Sequence, residues 1–193
     1  MDRRHLFKDL LTGIRGSAVE VGTCWGHFAE FLAEHTTLDK IYCIDPYKVY
    51  SNEIYCDALN RTTQQHLDEK FIKVKEKLSK IDKIEMRRLN SEKASFAFTD
   101  ETLMFVYIDA NHQFSEVLKD LCFWWPKVAP TGIIAGDDVE GNIPHQDGNL
   151  FIEHQKDSFG LYGVRTALEL FSKLVPSFKY QIVGNQFCAQ KIP

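Results

Sequence analysis

Short β-rich runs alternate with longer amphipathic stretches along the whole chain, and this alternation narrows the possible folds more than any other feature. "SAVEVG" (17–22) precedes "GHFAEFLAEH" (26–35), and "KIYCID" (40–45) precedes a polar segment and a lysine-rich stretch at 61–80. "KIEMRRLN" (83–90) leads into "SEKASFAF" (91–98), and "LMFVYID" (103–109) into "QFSEVLKDLCFWW" (113–125). "TGIIAGDD" (131–138) leads through a long polar loop into "YGVRTALELFSKLV" (162–175). Strand runs that are apolar almost throughout, each followed by a helical period, predict a parallel sheet covered on both faces. The end departs from the pattern. "FKYQIVG" and "NQFCAQKI" (178–192) meet at Gly-Asn, which predicts an antiparallel hairpin. The expected fold is therefore α/β, a doubly wound, mostly parallel sheet with a C-terminal antiparallel hairpin.

No repeat, low-complexity tract or linker divides residues 1–193, so a single domain is expected. A net charge of −4 provides no broad field for phosphates and argues against nucleic acid as a partner. Cys24, Cys43, Cys56, Cys122 and Cys188 are scattered, odd in number and without a CxxC pair. That pattern favours reduced thiols and a cytoplasmic setting over disulfides or zinc. "MDRRHLFKDLL" lacks the apolar core of a signal peptide, and no run approaches a membrane span, so no membrane partner is expected.

Acids mark the strand ends. Glu20 lies inside the first strand, Asp45 closes the second, Asp109 the fourth, and Asp137 with Asp138 the fifth. Asp commonly caps helices and starts turns, which accounts for one or two of these. The whole row is better explained by a site, because ligands of open α/β sheets bind beyond the carboxyl ends of the strands. Gly22 and Gly26 flank the first strand–helix turn, where a ligand can approach bare backbone near a helix N-terminus. Their pattern is E-x-G-x-x-x-G rather than the dinucleotide G-x-G-x-x-G, and the added carboxylate suits a cationic ligand better than a polyphosphate. Asp45, 23 residues beyond Gly22, stands where an acid accepts from ribose hydroxyls. A ligand with a ribose, a positive charge and no phosphate is S-adenosylmethionine.

"VEVGTCWG" followed by "YCIDPY" resembles the first two motifs of class I S-adenosylmethionine-dependent methyltransferases. The resemblance continues through "LNSEKASFAF", "VYIDANHQF", "GIIAGDD" and "YGVRTAL", in the manner of small metal-dependent O-methyltransferases of the macrolide-sugar and catechol types. It implies a Rossmann-like methyltransferase fold. Glu20, Gly22 and Gly26 then line the methionine end of the cofactor, joined by Thr23, and Asp45 holds the ribose. Asn90 and Ser91 match the turn that meets adenine, although Ser91 reads slightly better as a helix N-cap.

Asp109, Asp137 and Asp138 can converge from neighbouring strands into an all-oxygen site for Mg²⁺ or another hard divalent cation. The resemblance implies acids at these positions, with Asp138 standing where a catechol-type enzyme carries Asn. The alternative has Asp109 touching the cofactor and no ion bound. His112 lies where the catechol pattern has a lysine base, and an imidazole can take a proton at neutral pH. His112 and Asp109 are the catalytic candidates.

Residues 139–161 read as a substrate-covering lid, the lysine-rich 61–80 stretch as a solvated helix face, and Trp124 and Trp125 as packing. About sixteen residues precede the first strand, too few for an N-terminal recognition cap. The acceptor pocket then comes from residues 46–60, the 139–161 loop or a second subunit, which leaves room for a homo-oligomer. The expected activity is metal-assisted O-methylation of a small hydroxylated molecule, a sugar or a phenol. The alternatives are a metal-independent methyltransferase of the same fold and, further off, an NAD-dependent oxidoreductase.

Overall fold

The computed structural model describes residues 3–51, 62–139 and 163–192. Strands β1 (Ser17–Val21), β2 (Lys40–Ile44), β3 (Ile84–Arg87), β4 (Leu103–Ile108) and β5 (Val128–Gly136) pair in parallel. Strands β6 (Tyr180–Val183) and β7 (Gln186–Gln190) form the expected hairpin, with β7 antiparallel to β5. The order β3-β2-β1-β4-β5-β7-β6 reverses direction between β1 and β4, which opens a crevice beyond their carboxyl ends.

The two-residue period of the strands builds two cores. Ala18, Phe105, Tyr107, Ile133 and Ala135 face helices α1 (Arg3–Leu10), α2 (His27–His35) and α3 (Gln64–Leu78). Val19, Val21, Val106, Ile108 and Ile134 face the opposite layer, made by α4 (Ser91–Ser95), α5 (Phe114–Trp124) and α6 (Val164–Leu174). Trp124 and Trp125 are buried in that second core, as their packing role requires.

Three details go beyond the sequence reading. Helix α1 falls in the short stretch before β1, with Phe7 and Leu11 fully buried. The Phe7 ring stands 5.7 Å from Phe28, 5.6 Å from Phe105 and 5.2 Å from Tyr107. Along the lysine-rich stretch, Lys73, Lys75 and Lys80 are exposed, but Lys70 turns inward and is buried. Gly22 and Gly26 are also demanded by the protein's own packing. A Cβ on Gly22, at φ +93°, would lie 1.9 Å from the carbonyl oxygen of Asp109. One on Gly26, at φ +73°, would meet the Leu78 side chain at 2.8 Å.

These contacts set a stability contrast. Gly22→Ala adds an overlap with backbone that cannot move aside, and is expected to cost more than about 3 kcal/mol or prevent folding. Gly13→Ala, at φ +77° with nothing within 4 Å, is expected to cost only about 1 kcal/mol. Urea denaturation of the two variants measures both.

Candidate functional site

A cavity of about 600 Å³ opens over the β1/β4 crevice. Glu20, Gly22, Thr23, Asp45, Asn90, Ser91, Asp109, His112 and Asp138 all line it, so the sheet gathers most of the residues expected at a site. Gly26 and Asp137 are not in its wall: Gly26 sits behind it against Leu78, and Asp137 lies one strand further out, beyond β5.

Glu20 points from β1 to the face that also carries Phe7 and Phe28. It is buried, and its Oε2 has no hydrogen-bond partner among the described residues. Burial, aided by the charge of Asp109, pushes its carboxyl up to about 8. A carboxyl in this state is a half-made contact, ready for a cation. Asp45 is held differently. Its Oδ2 accepts from the Cys24 N–H at 2.9 Å and its Oδ1 from the Tyr47 N–H at 2.7 Å. Each oxygen keeps further accepting capacity for a hydroxyl. Burial raises this carboxyl too, against the pull of those two amides.

The loop between Gly22 and Gly26 is pinned from outside. The Tyr47 hydroxyl donates to the Cys24 carbonyl at 2.7 Å, and Lys70 Nζ stands 2.9 Å from Cys24 Sγ and 4.6 Å from the Trp25 ring centroid. At the other end of the cavity, Asn90 caps α4 by accepting from the Lys93 N–H at 3.1 Å. The cap therefore falls one residue before the expected Ser91. Ser91 instead donates to the buried Asp120 and accepts from Trp124 Nε1 at 2.8 Å. Burial pushes Asp120 up to about 7.

The acids beyond β4 and β5 are neighbours because Ile108 is in register with Gly136. Asp109 Oδ2 and Asp137 Oδ2 both lie 2.8 Å from one atom, Nη1 of Arg3. Asp109 Oδ1 stands 3.5 Å from His112 Nε2, and Asp138 Oδ2 stands 3.6 Å from His112 Nδ1. Asp138 Oδ1 accepts from Asn185 at 2.9 Å, and Asp137 Oδ1 accepts from Gln186. Burial raises Asp109, but His112 and Arg3 outweigh it and hold the carboxyl below its ordinary value. Burial and the Asp109 charge push Asp137 up.

This arrangement does not fit the metal site expected of Asp109, Asp137 and Asp138. The point where two carboxylates converge belongs to a guanidinium at hydrogen-bond distance, whereas Mg²⁺ needs oxygens at about 2.0–2.1 Å. The third acid faces Asn185 and His112. Among the described residues, no group of three or more His, Cys, Asp or Glu side chains is placed to hold a metal ion.

Sequence reasoning missed Arg3, Lys70, Tyr107, Asn185 and Gln186. Lys70 had a faint signal, its helical spacing with the buried Val74 and Leu78. Arg3 had none, because its partners are more than a hundred positions away. The expected lid lies outside the described residues, apart from Val139, and most of residues 46–60 do as well.

Comparisons with known proteins fit this geometry. No curated protein matches the chain in sequence. Its structure is similar to a proposed caffeoyl-CoA O-methyltransferase from Staphylococcus aureus, with TM-score 0.69 and 13% identity, covering 98% of this chain and 82% of that one. It is also similar to an O-methyltransferase from Bacillus cereus in complex with S-adenosylhomocysteine, with TM-score 0.62, 17% identity, and coverage of 98% and 78%. An rRNA methylase from Streptococcus thermophilus matches with TM-score 0.60, 12% identity, and coverage of 99% and 95%, so the shared fold does not select the acceptor. In sequence, residues 19–139 match the methyltransferase domain family, and this span holds every strand from β2 to β5 together with Glu20, Asp45, Asp109 and His112. The chain belongs to that family and is a methyltransferase.

Proposed function

We propose that this protein transfers the methyl group of S-adenosylmethionine to an oxygen of a small hydroxylated acceptor, a sugar or a phenol. The observation that carries the cofactor assignment is Glu20, a buried carboxyl lining the cavity with an oxygen that lacks a partner among the described residues. An orphaned buried acid is costly unless a ligand completes it, and the ammonium of a methionine moiety does so. Asp45, fixed by two backbone amides, is placed to accept from ribose hydroxyls, and the Asn90–Ser91 turn borders the space left for a base.

S-adenosylmethionine supplies a methyl group on a sulfonium, open to in-line attack by an oxygen nucleophile. The chain has to place that oxygen and remove its proton. His112 lines the cavity between Asp109 and Asp138, so an imidazolium formed there is stabilised on both sides. O-methylation is supported by this base beside carboxylates. A small acceptor is supported by the cavity volume and by the net negative charge. The residues do not fit a divalent cation as they stand, so no step is assigned to one, and the metal-independent form of the reaction is the one favoured.

Calorimetric titration tests the cofactor: S-adenosylhomocysteine is expected to bind, NADH to be ignored, and Asp45→Ala to abolish binding. NADH binding without S-adenosylhomocysteine binding overturns the reading in favour of an oxidoreductase.

A pH dependence follows from Glu20. The cation prefers the ionised carboxylate, while the unliganded carboxyl keeps its proton up to about pH 8. Binding therefore releases a proton below that pH. Affinity is expected to rise from pH 6 to 8 by up to about tenfold per unit and then level off, as measured by calorimetry across buffers. Glu20→Gln removes the slope.

In a methyl-transfer assay over sugars and phenols, His112→Ala is expected to lower kcat by about 100-fold or more while leaving S-adenosylhomocysteine affinity unchanged. Unchanged kcat removes His112 from the mechanism.

A further inference from the structure

The convergence of two carboxylates on Arg3 Nη1 has the form of a cation site, and the cation is part of the chain. Parallel pairing of β4 with β5 puts Asp109 and Asp137 side by side whatever else is present. Two carboxylates that close, in a partly buried setting, repel each other strongly unless a positive charge lies between them. Arg3 supplies it at 2.8 Å to each, with its side chain two-thirds shielded from solvent.

The guanidinium is not a wandering surface group. Arg3 lies one helical turn before Phe7, and Phe7 is fully buried among Phe28, Phe105 and Tyr107. The guanidinium itself rests over the Phe28 ring at 5.1 Å and the Tyr107 ring at 5.9 Å. The Tyr107 hydroxyl donates to Gln186 Oε1 at 2.6 Å, and Gln186 in turn donates to Asp137. Helix, aromatic ring, amide and carboxylate thus hold Arg3 from several sides.

We propose that Arg3 is the built-in cation of this site, a positioning residue that takes the place of a divalent metal between Asp109 and Asp137 and keeps Asp109 oriented on His112. Asp109 is shared between them, with Oδ2 on Arg3 and Oδ1 beside His112. One positive charge against two carboxylates leaves the trio with a net charge of −1. The inference goes beyond the proposed methylation and does not depend on it.

The test is Mn²⁺ binding to the full chain without cofactor or acceptor, followed by electron paramagnetic resonance and calorimetry, so it can fail independently of the methylation reading. The wild type is expected to show no saturable Mn²⁺ binding up to millimolar concentration. Arg3→Ala removes the resident charge and is expected to bind one Mn²⁺ at least about tenfold more tightly than the wild type, since two bare carboxylates suit a hard divalent ion. Adding Asp137→Asn should abolish that gain, and Arg3→Lys, which keeps a cation, should not show it. Mn²⁺ bound by the wild type and lost on Asp137→Asn overturns the proposal, because Arg3 then yields to metal. A folded Arg3→Ala that binds no Mn²⁺ also overturns it, as does an Arg3→Lys that binds like Arg3→Ala. Should Arg3→Ala fail to fold, the titration of the wild type and of Arg3→Lys decides the matter.

Discussion

Repulsion among carboxylates at one sheet edge is the constraint that the rest of this structure answers. Parallel pairing of β2, β1, β4 and β5 carries Glu20, Asp45, Asp109 and Asp137 to the same side of the sheet. None of the strands can withdraw without breaking the core, because the same pairing buries Val19, Val106 and Ile134 on one face and Ala18, Phe105 and Ile133 on the other. The negative charge therefore has to be met locally, and it is met in three different ways. Asp45 takes two backbone N–H groups, Asp109 and Asp137 share a guanidinium, and Glu20 keeps its proton. Each solution gives its carboxylate a different chemistry.

These solutions draw on different parts of the chain. The amides facing Asp45 belong to Cys24 and Tyr47, whose positive φ values of 51° and 43° turn their N–H groups towards the strand end. Such conformations cost of order 1–2 kcal/mol each for residues other than glycine, and they persist here because Tyr47 and Lys70 brace the loop. The guanidinium comes from α1, whose apolar face closes the core over α2 and β4. Packing energy from Phe7 and Leu11 thus positions a charge at the site, and the helix that finishes one core also finishes the electrostatics.

Sheet, hairpin and the strand-end acids of the cavity could be read from the sequence because each depends on local pattern. Strands reveal themselves by apolar runs, the hairpin by Gly184 and Asn185, and the acids by their place at strand ends. What escaped was long-range. Arg3 is 106 positions from Asp109 and 134 from Asp137, and nothing in "MDRRHLFKDLL" distinguishes that arginine from Arg4. The metal expectation failed to fit for the same reason: the spacing of Asp109, Asp137 and Asp138 brings acids together correctly but cannot show what lies between them. Gly22 and Gly26 were found by their spacing, but spacing does not show the packing that also requires them, since a Cβ on either would meet Asp109 or Leu78.

The strand-end acids also differ in how fully the chain answers them. Asp109 and Asp137 share one guanidinium within the chain, and Asp45 takes two backbone N–H groups. Glu20 is the buried acid whose Oε2 makes no hydrogen bond among the described residues, although Thr23 and Cys43 lie beside it. A protonated carboxyl there remains short of a partner, and an ionised one is unpaired in a low-dielectric wall, so either form leaves free energy that a matching cation recovers. A polyphosphate entering between Glu20, Asp45 and Asp109 would face the opposite balance, adding negative charge where there is already an excess. Asp45, Asp109 and Asp137 are thus met by N–H groups or a shared guanidinium, whereas Glu20 at the same sheet edge is the acid on which the proposed cationic ligand depends.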